Sequence, residues 1–265
     1  MKDKLEKTVF GLFGALGKFP TALTDLQQVR ALLRKLRPHA TQIDLLRLGP
    51  QGDGGYLVPD DLDSLEACYS PGVSDVSGFE KDCADRGMQV FMADKSVAGP
   101  AEQHERFHFE QKFVGAMSNE DFMTLDDWVD ATSSNSTSDL LLQMDIEGAE
   151  YEAILAASPR LMQRCRIIVA EFHQVQFLLS HPFFGIASRA FEKILQTHTC
   201  VHIHPNNCCG SVAKSDIQLP RVMEFTFLRS DRIEDSTLAT VFPHPLDADN
   251  TAEASLPLPK CWYGY

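Results

Sequence analysis

The chain has 265 residues, of which 44% are hydrophobic and 23% are charged. This length allows one large domain with a full hydrophobic core, and the composition is that of a globular protein. The formal net charge of −13 argues against nonspecific nucleic-acid binding, which needs a cationic surface. Scattered cysteines without a C-x-x-C pair favour reduced thiols in a cytoplasmic protein.

The N-terminal part of the chain is rich in helical patterns. Apolar residues recur at helical spacing from Leu26 to Leu36, which predicts a helix there. We predict a helical extension over residues 1–40 and one α/β domain with a C-terminal tail over residues 41–265. No apolar run is long enough for stable membrane insertion. The apolar stretch over residues 9–19 predicts an amphipathic helix packed on the domain, and a weak contact of residues 1–20 with a membrane surface is the alternative.

Strand patterns alternate with helical patterns through most of the remaining chain. In chain order, strands are predicted at residues 66–70, 89–93, 106–110, 140–144, 166–173, 200–204 and 222–228. Such alternation is typical of an α/β fold with a mostly parallel sheet. The last predicted strand suits antiparallel pairing, and we expect helices on both faces of the sheet.

A turn signal, Asp53-Gly54-Gly55, separates two short apolar stretches early in the domain. A plain β-hairpin is one interpretation of this pattern. A loop that faces a ligand is the other, with Asp53 and Arg47 as its polar candidates.

Two glycines lie in the loop after the strand predicted at residues 66–70. Gly72 and Gly78 would let the backbone approach a nucleotide-type cofactor, although the loop lacks a dense G-x-G-x-x-G motif. Ser74 lies between them and is a candidate for a side-chain hydrogen bond to the cofactor. An acid about 20 residues after such a loop is placed to bind ribose hydroxyls. Asp94 fulfils this condition, and Lys95 beside it is placed to orient it.

Carboxylates and a histidine lie at the C-terminal ends of two predicted strands. Asp145 and Glu147 follow the apolar run Leu140–Met144, and Glu171 and His173 end the next strand. Residues two apart on a strand point to the same face. Ligands bind at this edge of open α/β sheets, so we predict that these side chains line one cleft. Solvated acids that only cap the following helix are the alternative, and they account poorly for Asp145.

The segment Met144-Asp-Ile-Glu-Gly-Ala-Glu-Tyr resembles the fourth-strand motif of the FkbM-like methyltransferases. Upstream, Thr124-Leu-Asp-Asp-Trp-Val resembles the segment before that strand, and the similarity runs from about Leu46 to Arg229. The resemblance implies a Rossmann-like class I methyltransferase fold that uses S-adenosylmethionine. By the same analogy, the loop after the third strand lies near the adenine. The candidate cofactor-binding residues are therefore Asp53, Gly72, Ser74, Gly78, Asp94, Lys95, Met117 and Asp145.

Methyl transfer to a hydroxyl needs a base for the departing proton. His173 is the best candidate by its intrinsic pKa, and the carboxylates of Glu147 and Glu171 are the alternatives. A divalent ion such as Mg²⁺ or Mn²⁺ is a second option, held by Asp145, Glu171 and His173. A bound metal would lower the pKa of the acceptor hydroxyl.

These features predict an S-adenosylmethionine-dependent methyltransferase that acts on oxygen in a small molecule, with a sugar or glycoconjugate as the candidate acceptor. A non-catalytic Rossmann-like cofactor-binding module is the runner-up, because the glycine loop is atypical. An NAD-dependent oxidoreductase is disfavoured, because the dense glycine motif of such enzymes is missing.

Overall fold

A seven-stranded central sheet organises the fold. The computed structural model describes residues 2–15, 17 and 19–264. The helices are α1 (Lys2–Ala15), α2 (Leu26–Lys35), α3 (Gly78–Asp85), α4 (Leu125–Thr132), α5 (Glu150–Ala156), α6 (Pro159–Arg164) and α7 (His181–Ile194), with short 3₁₀ helices at Val175–Leu179, Ser230–Arg232 and Lys260–Trp262. The strands are β1 (His39–Thr41), β2 (Leu45–Leu48), β3 (Tyr56–Pro59), β4 (Ala67–Pro71), β5 (Gln89–Ala93), β6 (Phe107–Glu110), β7 (Phe113–Val114), β8 (Phe122–Met123), β9 (Leu140–Met144), β10 (Cys165–Phe172), β11 (His198–Pro205), β12 (Ser211–Lys214), β13 (Ile217–Pro220), β14 (Met223–Arg229) and β15 (Ser236–Leu238).

The central sheet has the strand order β11-β14-β10-β9-β4-β5-β6. Strand β14 is antiparallel to both of its neighbours, and the other adjacent strands are parallel. The predicted α/β sheet, mostly parallel with an antiparallel last strand, is thereby confirmed. This arrangement is consistent with a methyltransferase-like fold.

Strand β9 is buried on both faces of the sheet. Leu140, Leu142 and Met144 pack into an apolar cluster with α2, α5 and α7, while Leu141 faces a second cluster with α3 and the β2–β3 hairpin. A strand covered on both sides needs a continuous apolar run, which these residues supply. Its parallel pairing with β4 and β10 brings the carboxyl ends of all three strands to one edge.

The two N-terminal helices are placed differently. Val29 and Leu33 of α2 are buried in the same apolar cluster as the sheet, whereas Phe10 and Phe13 of α1 are exposed. The expected packing of residues 9–19 on the domain is therefore not found for these two side chains, and among the described N-terminal residues it is α2 that packs against the sheet. Within residues 1–20, Met1, Leu16 and Lys18 lie outside the described residues.

Among the described residues, no helix has the length and hydropathy that crossing a membrane requires. The weak contact between residues 1–20 and a membrane surface stays a prediction. The division of the chain between residues 40 and 41 also stays a prediction, and β1 spans that position.

Trp262 anchors the C-terminal tail. Its side chain is fully buried, and its Nε1 donates a hydrogen bond to the carbonyl oxygen of Gln218 over 3.1 Å. Its ring packs edge-on against Phe225, with ring centroids 5.8 Å apart. The end of the tail therefore contributes to the core.

Cys208 and Cys209, in the turn between β11 and β12, form a disulfide. The expectation of reduced thiols is wrong for this pair, because the turn brings the two neighbouring sulfurs together. The other five cysteines are free and buried. A cytoplasmic location stays a prediction.

Candidate active site

A cleft of about 320 Å³ opens at the carboxyl ends of β4, β5 and β9. Its lining includes Gly72, Asp94, Phe113, Phe122, Asp145 and Glu147. The rings of Phe113 and Phe122 lie side by side, with centroids 5.5 Å apart. Apolar walls with a few converging polar groups are typical of small-molecule sites.

Asp94 is held in place at the end of β5. One of its carboxylate oxygens accepts a hydrogen bond from the backbone N–H of Val73 over 3.2 Å, and the other accepts one from Ser96 N–H over 2.7 Å. These donors fix the carboxylate in the cleft. Lys95 forms an ion pair with Asp121 instead, so it does not orient Asp94, because the carboxylate of Asp121 holds its ammonium group.

Of the three residues predicted in the loop after β4, Gly72 alone lines the cleft. Gly72 lies beside the backbone of Asp145 and lines the cleft. Gly78 opens α3 and faces the turn of the β2–β3 hairpin. The Ser74 hydroxyl lies 3.2 Å from the backbone nitrogen of Val76, inside its own exposed loop. Ser74 and Gly78 therefore do not line the cleft, because Ser74 is bonded within its own loop and Gly78 packs against the hairpin at the start of α3.

Met117 also lies outside the lining, and its side chain is 65% exposed. Strand β7 pairs with β8, which carries the tip of this loop into solvent and brings the flanking residues inward. Phe113 and Phe122 consequently contact the cleft where Met117 was expected.

Next to the cleft, Asp145, Glu171 and His173 converge. One potential ligand atom from each lies within 4.8 Å of the other two. His173 Nε2 lies 3.9 Å from Asp145 Oδ1 and 3.8 Å from Glu171 Oε1. Glu147 adds a fourth polar group, with Oε2 3.4 Å from the same nitrogen. The structure thus brings together the four side chains that the sequence assigned to one cleft.

Strand alternation is not what aligns Asp145 with Glu147. Strand β9 ends at Met144, and both acids lie in the turn that follows. Glu147 has a φ of +57°, an unusual conformation for a residue other than glycine. This turn, rather than an extended strand, directs both carboxylates toward His173.

Burial dominates the electrostatics of this cluster. It raises the pKa of Asp145 to about 7, although the neighbouring His173 acts in the opposite direction. Burial and the negative charge of Asp145 also raise the pKa of Glu171 well above its usual range. Glu171 Oε1 accepts a hydrogen bond from Asn206 Nδ2 over 3.1 Å, while Glu171 Oε2 is buried and has no hydrogen-bond partner among the described residues.

Glu150 is a member of the site that the sequence reasoning missed. Its side chain is completely buried, and its Oε1 lies 3.1 Å from His173 Nδ1. Burial lowers the pKa of His173, but the hydrogen bond to Glu150 and the nearby carboxylates more than offset this and raise it. The signal available in the sequence was the acid itself, one turn after Asp145, although only the fold shows that it turns inward.

The β2–β3 hairpin covers the cluster through a residue that was not predicted. Tyr56 lies 3.5 Å from Asp145, hydroxyl oxygen to Oδ2, and burial raises its pKa. Asp53 is exposed at the hairpin turn, and its charge acts on Asp145. Arg47 instead holds the turn together, with Nε donating to the carbonyl oxygen of Pro50 over 2.6 Å.

A row of polar residues runs across the sheet from Glu171 to Glu224 and His204. Glu224 on β14 lies opposite Glu171 on one side and opposite His204 on the other. Burial raises the pKa of Glu224. His204 lies 3.4 Å from Asp247 of the tail, Nδ1 to Oδ2, and so belongs to the far end of the row rather than to the cluster around His173.

Residues 72–198 match the family model described as the methyltransferase FkbM domain. This segment is similar to that family. The match begins directly after β4 and includes β5, β9 and β10, and with them the residues of the cleft and the cluster. It confirms the resemblance drawn from the motif around Asp145 and supports a methyltransferase enzyme.

No curated protein matches the sequence. Among solved structures, the crystal structure of EvdMO1 is similar at 10% sequence identity with a TM-score of 0.28, and the alignment covers 79% of this chain. The chain spans 49% of the length of that protein.

Proposed function

We propose that the protein is an S-adenosylmethionine-dependent O-methyltransferase. Its acceptor is a small molecule with a free hydroxyl, and a sugar or glycoconjugate is the class we favour. One observation carries the proposal: Asp145 lines the cleft beside Asp94 and also belongs to the cluster with Glu171 and His173. A methyl donor bound in the cleft would therefore lie next to side chains that can take the proton of the acceptor hydroxyl.

The strand order supports a Rossmann-like class I arrangement. Counted along the chain, the first five strands of the central sheet lie in the order 3-2-1-4-5, as in Rossmann sheets, where cofactors bind at the carboxyl edge. In our proposal, Asp94 accepts hydrogen bonds from the ribose hydroxyls. The rings of Phe113 and Phe122 provide an apolar surface for the adenine.

The reaction is a single displacement. When bound, S-adenosylmethionine supplies an electrophilic methyl group on a sulfonium. Transfer of that methyl group to the acceptor oxygen would leave S-adenosylhomocysteine and release the hydroxyl proton, which His173 Nε2 would take. The half-buried ring of His173 lies among carboxylates, which stabilise the imidazolium that results. Glu171 and Glu147 are the alternative bases.

The same cluster fits a divalent metal ion. Asp145, Glu171 and His173 would hold it, since their potential ligand atoms already converge. The buried Glu171 Oε2, which lacks a hydrogen-bond partner among the described residues, is what such an ion would satisfy. Hard cations such as Mg²⁺ and Mn²⁺ prefer carboxylate ligands, and a bound ion lowers the pKa of a hydroxyl.

Calorimetric titration with S-adenosylmethionine and with NAD tests the proposal. We expect S-adenosylmethionine to bind and NAD to show no binding. Binding of NAD alone would favour an oxidoreductase. Binding of S-adenosylmethionine without turnover on a panel of hydroxylated acceptors would favour a non-catalytic module.

A further inference from the structure

Three hydrogen bonds converge on one oxygen of Glu150. Glu150 Oε1 accepts from the backbone N–H groups of Ile146 and Gly148, each over 3.1 Å. It also lies 3.1 Å from Nδ1 of His173. One carboxylate oxygen thus joins the turn after β9 to the end of β10.

The His173 contact determines which ring nitrogen carries the proton. A carboxylate only accepts hydrogen bonds, so Nδ1 must be the protonated nitrogen of the neutral ring. Nε2 is then left with a free lone pair, and this is the atom that faces Asp145, Glu147 and Glu171. A free lone pair is what a proton acceptor or a metal ligand needs.

The backbone around the pair is held in unusual conformations on both sides. Glu147 has a φ of +57° and Gln174 a φ of +60°. Left-handed conformations cost about 1–2 kcal/mol in residues other than glycine, and they persist only where surrounding contacts hold them. Gly148, with a φ of +108°, packs its backbone against the Gln174 side chain. Glu150 is bonded to this turn and to His173 at once.

We propose that Glu150 is a positioning residue that holds His173 in the Nδ1–H tautomer, with Nε2 directed into the cluster as an acceptor. Glu150 does not touch the reacting atoms and acts only through His173. The inference rests on the proposed function, because the free Nε2 serves the proposed reaction. It applies equally whether Nε2 takes a proton or binds a metal ion.

Nitrogen-15 NMR of the full-length protein with labelled histidines tests the tautomer directly. His173→Gln identifies the His173 signals among those of the nine histidines. At a pH where the ring is neutral, we expect Nδ1 to carry the proton in the wild type. Glu150→Ala should abolish this preference. Glu152→Ala is the matched control, because Glu152 lies in the same helical turn but is exposed, and it should retain the preference.

A wild-type His173 protonated on Nε2 overturns the proposal, and so does an unchanged tautomer in Glu150→Ala. The wild-type spectrum decides even if Glu150→Ala does not fold. For that case, Glu150→Gln keeps an acceptor oxygen for the turn and for Nδ1–H, so it should retain the Nδ1–H tautomer. In a folded Glu150→Ala protein, loss of the orienting partner costs about 10–100-fold in activity, so kcat should fall by that factor with S-adenosylhomocysteine affinity unchanged. An unchanged kcat in that protein, or a His173 protonated on Nε2 in Glu150→Gln, would contradict the proposal.

Failure of the proposed function would look different. In that case S-adenosylmethionine would not bind and no turnover would be found, while the NMR spectra would still report the Glu150–His173 contact.

Discussion

The backbone of Gly72 lies against the backbone of Asp145. Gly72 has a φ of +91°, and a side-chain carbon at this position would overlap the carbonyl oxygen of Asp145. The loop after β4 therefore passes directly over the turn after β9. This close approach places the cleft that contains Asp94 next to the cluster that contains His173.

Gly72→Ala should destabilise the fold strongly. The substitution combines an unfavourable φ with a steric overlap, and we expect a loss of roughly 3 kcal/mol or more in the free energy of unfolding. Gly87→Ala is the control, because Gly87 has a similar φ of +96° but no atom within 4 Å of the new carbon. It should cost only about 1–2 kcal/mol. Equal losses in denaturant titrations would show that the overlap is unimportant.

His173→Ala should separate binding from turnover. Affinity for S-adenosylhomocysteine should stay normal, while kcat should fall about 10²–10⁴-fold, the usual contribution of general-base catalysis. His181→Ala controls for surface histidines, since His181 is exposed on α7. If kcat survives in a folded His173→Ala protein, the histidine is structural and Glu147 becomes the next candidate base.

The cluster could be predicted from the sequence, because its residues lie at the ends of strands that local apolar runs predict. Apolar runs locate β9 and β10, and parallel strands bring their carboxyl ends to one edge, so Asp145 and Glu171 had to be near each other. The alternation of strand and helix patterns also predicted a mostly parallel sheet, and the last predicted strand suited antiparallel pairing.

Residues that depend on tertiary contacts were not predictable in the same way. Glu150 belongs to a helix and reads as a capping acid, yet its burial depends on how α5 packs against β10. Met117 was assigned by analogy, and the pairing of β7 with β8 sends it into solvent. Lys95 follows Asp94 directly, but its partner is Asp121, across the neighbouring loop.

Chelation tests the metal alternative at the cluster. If a divalent ion takes part, EDTA should abolish turnover and Mg²⁺ or Mn²⁺ should restore it, since the ion lowers the pKa of the acceptor hydroxyl. Glu171→Gln should then weaken Mn²⁺ binding measured by calorimetry. Full turnover in EDTA would leave His173 as a metal-free base.

His198 makes stability depend on pH. The residue is buried, its Nε2 lies 2.7 Å from the carbonyl oxygen of Cys165, and burial lowers its pKa to about 4. The unfolded chain binds a proton on His198 more readily, at the ordinary pKa of about 6.5, so the neutral buried ring makes its full contribution to the free energy of unfolding above that pH. This contribution is lost as the pH falls toward 4, at a cost of roughly 3 kcal/mol.

Urea titrations of the wild type and His198→Gln across that range measure this effect. Glutamine does not titrate, so the difference in the free energy of unfolding between the two proteins should shrink as the pH falls from about 6.5 to 4. A difference that is constant with pH would mean that His198 does not titrate differently in the folded state.

If the cleft beside Asp145 binds S-adenosylmethionine, the affinity for S-adenosylhomocysteine should depend on Asp94. The Asp94 carboxylate is fixed in the cleft by two backbone donors, so it is ready to accept from a ribose. Glu110→Ala is the matched control, because Glu110 ends the neighbouring strand β6 and is exposed. By calorimetry, Asp94→Ala should lose about 1.5–3 kcal/mol of binding free energy, the scale of a charge-assisted hydrogen bond, and Glu110→Ala should bind normally. Unchanged affinity in Asp94→Ala would contradict the account.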